Sequence, residues 1–131
     1  MQTTLADKWF SRYIRIRDTW DDGYCRCITC GRVQLPKEAD CGHYVKRQHM
    51  GVRFSEENCH SQCKNCNNFQ QGADVIFRQK LVEMYGEEKV LMLESAKRTT
   101  GKMIKLQLQL LAKEYKDKAT ELSKKKGIKL W

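Results

Sequence analysis

The stretch Cys27-Ile28-Thr29-Cys30, followed after 32 intervening residues by Cys63-Lys64-Asn65-Cys66, decides the fold of this chain. Each Cys-x-x-Cys turn brings two thiolates together, and two such turns complete a tetrahedral site of four sulfurs. Such a site suits zinc and leaves no open position for a substrate. Gly31 directly follows the first turn, where a tight knuckle requires a positive φ. The spacing therefore predicts a structural Zn²⁺ held by Cys27, Cys30, Cys63 and Cys66.

Other uses of the seven cysteines stay open at this point. An iron–sulfur cluster is an alternative for the four paired cysteines, and disulfides are disfavoured by the odd count and the missing secretory leader. Cys25 lies two residues before Cys27 and could replace it in the first turn, although only Cys27 gives the x₂ spacing. For Cys41 and Cys59 the favoured interpretation is that of small buried apolar residues.

Helical patterns flank this cysteine-rich centre. On the N-terminal side, Thr4 and Asp7 predict a capping box, and an Asp-Asp-Gly turn at 21–23 ends the helix. Its predicted apolar stripe comprises Leu5, Trp9, Tyr13, Ile16 and Trp20. Within the centre, only 33–35 and 52–54 have the pattern of strands.

Three further helices are predicted in the C-terminal half. One begins at a cap on Asp74 and ends at Gly86, and a second lies around 90–93 and closes near 99–101. A last helix over about 102–124 carries an apolar face formed by Ile104, Leu108, Leu111, Tyr115 and Leu122. The predicted organisation is an N-terminal helix at 1–23, a zinc-bound core at 24–72 and a basic helical region at 73–131.

The charge distribution favours a polyanionic partner. The chain carries a net charge of +9, and residues 97–131 contribute 11 Lys and Arg against three acidic residues. Nucleic acid is the first candidate and a membrane surface the second. No run of eighteen apolar residues and no secretory leader is present, so we expect no membrane span and a cytoplasmic location. The tail should pack its apolar face on the N-terminal helix or a second subunit, with its lysines toward DNA phosphates.

A second motif overlaps the zinc motif. His43 is followed by Asn58, by Cys63 and Cys66, and then by Asn67. This layout resembles the HNH, or ββα-metal, endonucleases whose hairpin and helix are clamped by a Cys₄ zinc. The resemblance implies His43 as the general base, Asn58 as the residue that holds its strand, and Asn67 as a ligand of Mg²⁺ or Mn²⁺.

Asp40 completes the implied catalytic set. Many HNH motifs have Asp directly before the base, whereas this chain has Gly42 there and Asp40 three residues before His43, an offset similar to that of endonuclease VII. Asp40 is therefore the first candidate for the second metal ligand, with His60 as the alternative. His49 is interpreted as a phosphate contact or an ordinary loop residue. The candidate DNA contacts are Tyr44, Lys46, Arg47, Arg53, Lys102, Lys105, Lys124, Lys125 and Lys126, with a solvated strand residue as the alternative for Arg53.

The whole chain resembles the phage NinG family, also called Rap, of recombination proteins. The matching segments are 10–15, 25–31, Gly42-His43-Tyr44, Arg53-Phe54, 58–67 and 81–86. This resemblance implies an α+β fold with a small zinc-stabilised ββα-metal centre, flanked by an N-terminal helix and a helical tail. It also implies a recombination endonuclease that cuts branched DNA, such as Holliday junctions and D-loops, in the cytoplasm of a bacterial host.

Two other functions remain open beside the nuclease. One is a non-catalytic zinc-ribbon module that binds DNA or acts as a scaffold in a recombination complex. The other is an interaction protein that forms a homodimer through its helical tail at Ile104, Leu108, Leu111 and Tyr115. A pure zinc module needs neither His43 nor Asn67, so these two residues favour the enzyme.

Overall fold

The computed structural model describes residues 3–69, 73–98 and 101–131, and these form a mixed α+β fold. Its elements follow one another as α1 (Leu5–Arg17), β1 (Cys25–Arg26), β2 (Val33–Gln34), β3 (Asp40–His43), α2 (Met50–Arg53), a 3₁₀ turn (Glu56–Asn58), β4 (Cys59–Gln62), α3 (Lys64–Phe69), α4 (Ala73–Tyr85), α5 (Glu87–Ser95), a second 3₁₀ turn (Ala96–Arg98) and α6 (Lys105–Lys126).

Helix α1 begins as its sequence predicts but buries a different face. Thr4 caps it, and the capping box with Asp7 is confirmed because both reciprocal hydrogen bonds form. The predicted stripe is wrong at its ends, since Leu5 and Trp20 are 62% and 61% exposed. Ile16 of the predicted stripe is buried as expected, but the rest of the buried face lies one position further along the helix and contains Ala6, Phe10 and Ile14.

Two short antiparallel strand pairs form the β structure of the described residues. Strand β1 pairs with β2, and β3 pairs with β4 in a register that sets Asp40 opposite Gln62 and His43 opposite Cys59. Helix α3 follows β4 after a single residue, so β3, β4 and α3 form a strand–strand–helix unit. The segment 52–54 is no strand: residues 50–53 form helix α2, which corrects the prediction.

Helices α4 and α5 close one core over the loop that follows β3. Gly86, at φ +91°, separates the two helices, as predicted. Asp74, the predicted cap, lies inside α4, which begins at Ala73. Of the closing turn predicted near 99–101, residues 99–100 lie outside the described residues. The buried side chains of this core are Val45, Val52, Phe77, Leu81, Val90 and Leu93.

Helix α6 packs along α1, so the tail belongs to the main body of the protein. Tyr115 meets Phe10 edge-on at a ring-centroid distance of 4.9 Å and lies 5.4 Å from Tyr13. The buried positions of α6 are Ala112, Tyr115, Ala119 and Ser123. Packing on the N-terminal helix is therefore confirmed. The predicted face is wrong at Ile104, which is 63% exposed, and Tyr115 is covered within the chain and cannot lie in a dimer interface.

None of the described helices is long and apolar enough to cross a membrane.

Candidate metal centre and basic cleft

The four paired cysteines form one cluster in the structure. Their sulfur atoms all lie within 4.8 Å of one another, and the Sγ atoms of Cys30 and Cys63 are 3.8 Å apart. Zn–S bonds of about 2.3 Å in a tetrahedron separate the sulfurs by about 3.8 Å. Gly31 has φ +79° and donates its amide to the carbonyl of Cys27 at 2.9 Å, as the knuckle requires. The cluster therefore has the donors and the dimensions of a structural zinc site.

Neighbouring polar groups orient this cluster. The hydroxyl of Thr29 lies 3.3 Å from the Cys27 sulfur and accepts a hydrogen bond from Gln62 at 3.2 Å. The amide of Cys66 donates to the Cys63 sulfur at 3.4 Å. Burial raises the pKa of Cys27, but the hydrogen bonds from Thr29 and from backbone amides outweigh it and lower the pKa to about 6, which favours the thiolate.

Cys25 does not belong to the cluster. It lies in β1 opposite Gln34, is 1% exposed, and is absent from the group of four sulfurs. Cys27, and not Cys25, is therefore the residue that the fold brings together with Cys30, Cys63 and Cys66.

Asp40 and Asn67 meet beside the four-cysteine cluster. Asn67 lies in the first turns of α3, and its Nδ2 donates to Oδ2 of Asp40 at 3.0 Å. The ammonium of Lys64 donates to the other carboxylate oxygen at 2.6 Å. Because Cys63 and Cys66 bracket the start of α3, the cysteine cluster fixes the helix end that presents these side chains. The carboxylate of Asp40 and the amide oxygen of Asn67, which belongs to the same amide group as Nδ2, are oxygen ligands of the kind that suit Mg²⁺.

Gly42 is required by the packing of the sheet. A Cβ atom at this position would lie 2.2 Å from Oε1 and 3.0 Å from Cβ of Gln62. Gln62 fills the space that a side chain at position 42 would need, and its Nε2 also donates to the hydroxyl of Thr29. The absence of a side chain at position 42 is therefore coupled to the position of the Gln62 side chain.

His43 lies at the end of β3 with its ring partly covered. Its Nε2 donates to the carbonyl of Arg53 at 2.9 Å, which leaves the lone pair on Nδ1 in the neutral ring. Burial lowers the pKa of His43, and the charge of Arg47 acts in the same direction. The lowered pKa favours the neutral imidazole, the state in which it can accept a proton.

Asn58 fixes the loop that follows His43. Its side chain is fully buried, its Oδ1 accepts from the amide of Val45 at 2.8 Å, and its Nδ2 donates to the carbonyl of Val45 at 2.9 Å. A third bond reaches the carbonyl of Val52 at 3.3 Å. These contacts tie the end of β3 to α2, and α2 supplies the carbonyl that orients His43.

His60 lies in a different environment from Asp40 and Asn67. It is 7% exposed, its Nδ1 lies 3.1 Å from Arg17 and 3.4 Å from Asp18, and its Nε2 lies 3.2 Å from the hydroxyl of Tyr85. Both ring nitrogens of His60 contact other side chains, and the side chain that meets Asn67 is Asp40. Of the two alternatives, Asp40 is therefore the candidate that lies beside Asn67.

A cleft of about 780 Å³ collects these side chains on one surface. His43, Asp40 and Asn67 all line it. Its basic lining residues are Lys8, Arg12, Arg15, Lys37, Lys46, Arg47 and Lys64, against the two acidic residues Asp7 and Asp40. Arg15 also donates to the carbonyls of Pro36 and Ala39, at 3.2 and 2.9 Å, which ties α1 to the loop before β3. The excess of cations suits a phosphate backbone.

Sequence reasoning missed part of this lining. Lys8, Lys37 and Lys64 lie far apart in the chain and share no pattern, so only folding brings them together. The four-residue spacing of Lys8 and Arg12, which places both on one face of α1, was the one feature of the sequence that could have indicated this lining.

Three of the residues predicted to contact DNA bind other groups of the protein instead. Arg53 is 2% exposed and paired with Asp7, so it is neither a phosphate contact nor a solvated strand residue. The hydroxyl of Tyr44 donates to Glu94 of α5. The ammonium of Lys126 donates to three carbonyls at the end of α1, at 2.8–2.9 Å.

The other predicted contacts remain at the surface. Lys46 lines the cleft and pairs with Asp74 at 3.1 Å, and Arg47 lines it and donates to Thr3. The predicted tail contacts that the structure leaves exposed are Lys102, Lys105, Lys124 and Lys125.

Comparison with known proteins gives a family for the chain. The family model described as "Bacteriophage Lambda NinG protein" matches residues 2–125. "Protein ninG" of Escherichia phage lambda is 37% identical over 70 residues, covering 53% of this chain and 34% of the relative. "Protein ninG" of Salmonella phage P22 is 34% identical over 102 residues, covering 72% of this chain and 50% of the relative. The chain thus matches between about a third and a half of the length of these relatives. No solved structure shows significant similarity to it.

Proposed function

The chain belongs to the NinG family, and from that premise we propose that it is a metal-dependent DNA endonuclease of the HNH type. Its substrate is branched DNA of phage recombination, such as Holliday junctions and D-loops, in which it hydrolyses phosphodiesters. One observation carries the proposal: the Asp40–Asn67 pair and a neutral His43 line the same basic cleft, on a strand–strand–helix unit pinned by four cysteines.

Asp40 and Asn67 are the proposed ligands of Mg²⁺ or Mn²⁺. The Nδ2 of Asn67 faces Asp40, and the Oδ1 of the same amide is the atom that would coordinate a cation. When bound there, the cation would neutralise charge that develops on the scissile phosphate and the leaving oxygen. Lys64 now supplies the positive charge at Asp40, so it must release the carboxylate when a cation binds.

His43 is the proposed general base. The carbonyl of Arg53 fixes the ring through Nε2 and presents Nδ1 as the proton acceptor for a water molecule. Asp40 and His43 stand at opposite ends of a four-residue strand, so their backbones are about 10 Å apart at 3.3 Å per residue. That separation leaves room for a phosphodiester and its attacking water between ligand and base.

The basic residues of the cleft hold DNA through its phosphates. Contacts of this kind fix the backbone without reading bases, so binding should tolerate sequence and weaken with salt. The exposed lysines of α6 extend the positive surface. Selection of branched over linear DNA follows from the family resemblance and is the part of the proposal that needs substrate tests.

Cleavage of a DNA panel tests the proposal. The full chain, loaded with zinc, is incubated with duplex, single-stranded, Y-shaped and four-way DNA in Mg²⁺ or Mn²⁺. His43→Ala should reduce cleavage by about 10²–10⁴-fold while DNA affinity is kept. His49→Ala is the matched control, because that histidine lies outside the cleft lining and should leave the rate unchanged. Equal rates for the wild type and His43→Ala would refute the assignment.

A non-catalytic DNA-binding or scaffolding module is the second candidate. The observation that favours it is the Lys64–Asp40 ion pair, which satisfies the carboxylate without any divalent cation. Such a module would bind four-way DNA with the same affinity with and without Mg²⁺ and would never cut it. The same panel therefore separates the two functions.

A further inference from the structure

A second group of metal-binding side chains lies apart from the four-cysteine cluster. The register of β3 and β4 places His43 opposite Cys59 and Cys41 opposite Ser61, so these side chains share one face of the sheet. The two sulfurs and one imidazole nitrogen all lie within 4.8 Å of one another, the same limit that the zinc cluster meets. None of the three belongs to the zinc cluster.

Two further features of this group point to a ligand. The imidazole already donates its Nε2 proton to a backbone carbonyl, at 2.9 Å from the oxygen of Arg53. That bond is the usual second contact of a metal-binding histidine, and it aims the other nitrogen as a donor. Cys41 and His43 also line the cleft, so an ion from solvent reaches them, with Cys59 fully buried beneath.

The donor set selects the kind of ion. Two thiolates and an imidazole prefer thiophilic divalent cations such as Zn²⁺ and Cd²⁺, and three protein ligands leave a fourth position open. Mg²⁺ prefers oxygen and would stay with Asp40 and Asn67. The two ions would therefore bind at separate places in the same cleft.

We propose that Cys41, His43 and Cys59 form a second, inhibitory site for a thiophilic divalent cation. An ion in this site occupies the imidazole lone pair, so His43 no longer accepts a proton from water. The binding itself is independent of the nuclease, whereas the inhibition rests on the proposed function. Free Zn²⁺ would then act in opposite ways, stabilising the fold at four cysteines and stopping cleavage at the other three residues.

Cadmium binding tests the site without any activity measurement. The full chain is dialysed against Cd²⁺, the metal per chain is determined by elemental analysis, and ¹¹³Cd NMR separates an S₄ from an S₂N environment. We expect two Cd²⁺ per wild-type chain, and one per chain for Cys41→Ser and for Cys59→Ala. Cys25→Ala is the matched control, because it removes a buried thiol outside both groups and should keep two.

The variants also guard against a folding artefact. Cys59 is fully buried, so its replacement could unfold the chain, whereas Cys41 is partly exposed and its serine variant should fold. Circular dichroism of each cadmium-loaded variant checks this directly. A single S₄ signal in the wild type, or two Cd²⁺ in folded Cys41→Ser, would overturn the proposal.

An inhibition experiment separates this proposal from the proposed function. In saturating Mg²⁺, one equivalent of Zn²⁺ beyond the four-cysteine cluster should slow wild-type cleavage by at least about 10²-fold, the loss expected without a general base. Cys41→Ser should resist this inhibition. Two bound Cd²⁺ in a protein that never cleaves DNA would refute the nuclease and support the site. Cleavage that Zn²⁺ does not inhibit would refute the inhibitory site and support the nuclease.

Discussion

Replacement of Lys64 by methionine should make the protein bind divalent cations more tightly. The Lys64 ammonium lies 2.6 Å from Oδ1 of Asp40, so it occupies the carboxylate that we propose as a metal ligand. A cation must displace it, and the free energy of that ion pair is subtracted from metal binding. Methionine keeps an unbranched apolar stem of similar size and removes the ammonium group, with its charge and its hydrogen bond to Asp40.

The size of the effect follows from the exposure of the pair. The Lys64 side chain is 67% exposed and that of Asp40 is 22% exposed, which makes this a surface ion pair. Such pairs contribute about 0.2–1 kcal/mol. At about 1.4 kcal/mol per tenfold change, Lys64→Met should lower the Kd for Mn²⁺ by about 1.4- to 5-fold. The gain should shrink at high salt, because exposed charges are screened.

Titration of the zinc-loaded chain with Mn²⁺, followed by the EPR signal of free Mn²⁺ without DNA, measures this Kd. Lys46→Met is the matched control: that lysine lines the same cleft and carries the same charge, but pairs with Asp74 at 3.1 Å. It should change the Kd less. Equal shifts in the two variants, or none in Lys64→Met, would show that Asp40 is not the metal ligand.

Three further outcomes test the fold. Asp7→Asn should lower the free energy of unfolding in urea by about 3 kcal/mol, because Arg53 stays buried without its carboxylate. Burial raises the pKa of Asp7, but hydrogen bonds from Arg53 and Thr4 outweigh it and leave the pKa lowered. The deficit should therefore stay constant from about pH 8 to 5 and shrink only below about pH 4; a deficit that shrinks already near pH 6 contradicts this. Gly42→Ala should lower the free energy of unfolding by about 1–3 kcal/mol, because the added Cβ would clash with Gln62. Gly101→Ala is the control and should change it little, because a Cβ there meets no atom within 4 Å. Equal melting temperatures for the two variants would refute the clash. Removal of 101–131 should lower the melting temperature followed by circular dichroism, because it uncovers Phe10, and an unchanged melt would mean that α6 is dispensable.

The sequence by itself determined the features that depend on local spacing. A Cys-x-x-Cys turn brings its two sulfurs together through backbone geometry, so the grouping of Cys27, Cys30, Cys63 and Cys66 was recognisable from the sequence. The cap of α1 and the break at Gly86 are local in the same sense, because each involves residues within one turn. The four-cysteine cluster and these two helix limits were predictable for this reason.

Helix faces and surface charges depended on the tertiary structure. The predicted stripe of α1 began at Leu5, but the packing of α6 and β4 selects the face that carries Phe10. The sequence predicted Arg53 to be a DNA contact or a solvated strand residue. In the structure it is buried, because α1 brings Asp7 to it from 46 residues away along the chain. Contacts at such separation leave no periodic signal in the chain.

The candidate site shows both levels at once. The resemblance to HNH endonucleases singled out His43, Asp40 and Asn67, but it left Asp40 and His60 as alternatives for the second metal ligand. The folded chain places the two residues in different surroundings: Asp40 meets Asn67 of α3, and His60 is enclosed by Arg17 and Tyr85, from α1 and α4. The proximity of Cys41 and Cys59 to His43 likewise arises only from strand register, because alternate residues of two paired strands share a face.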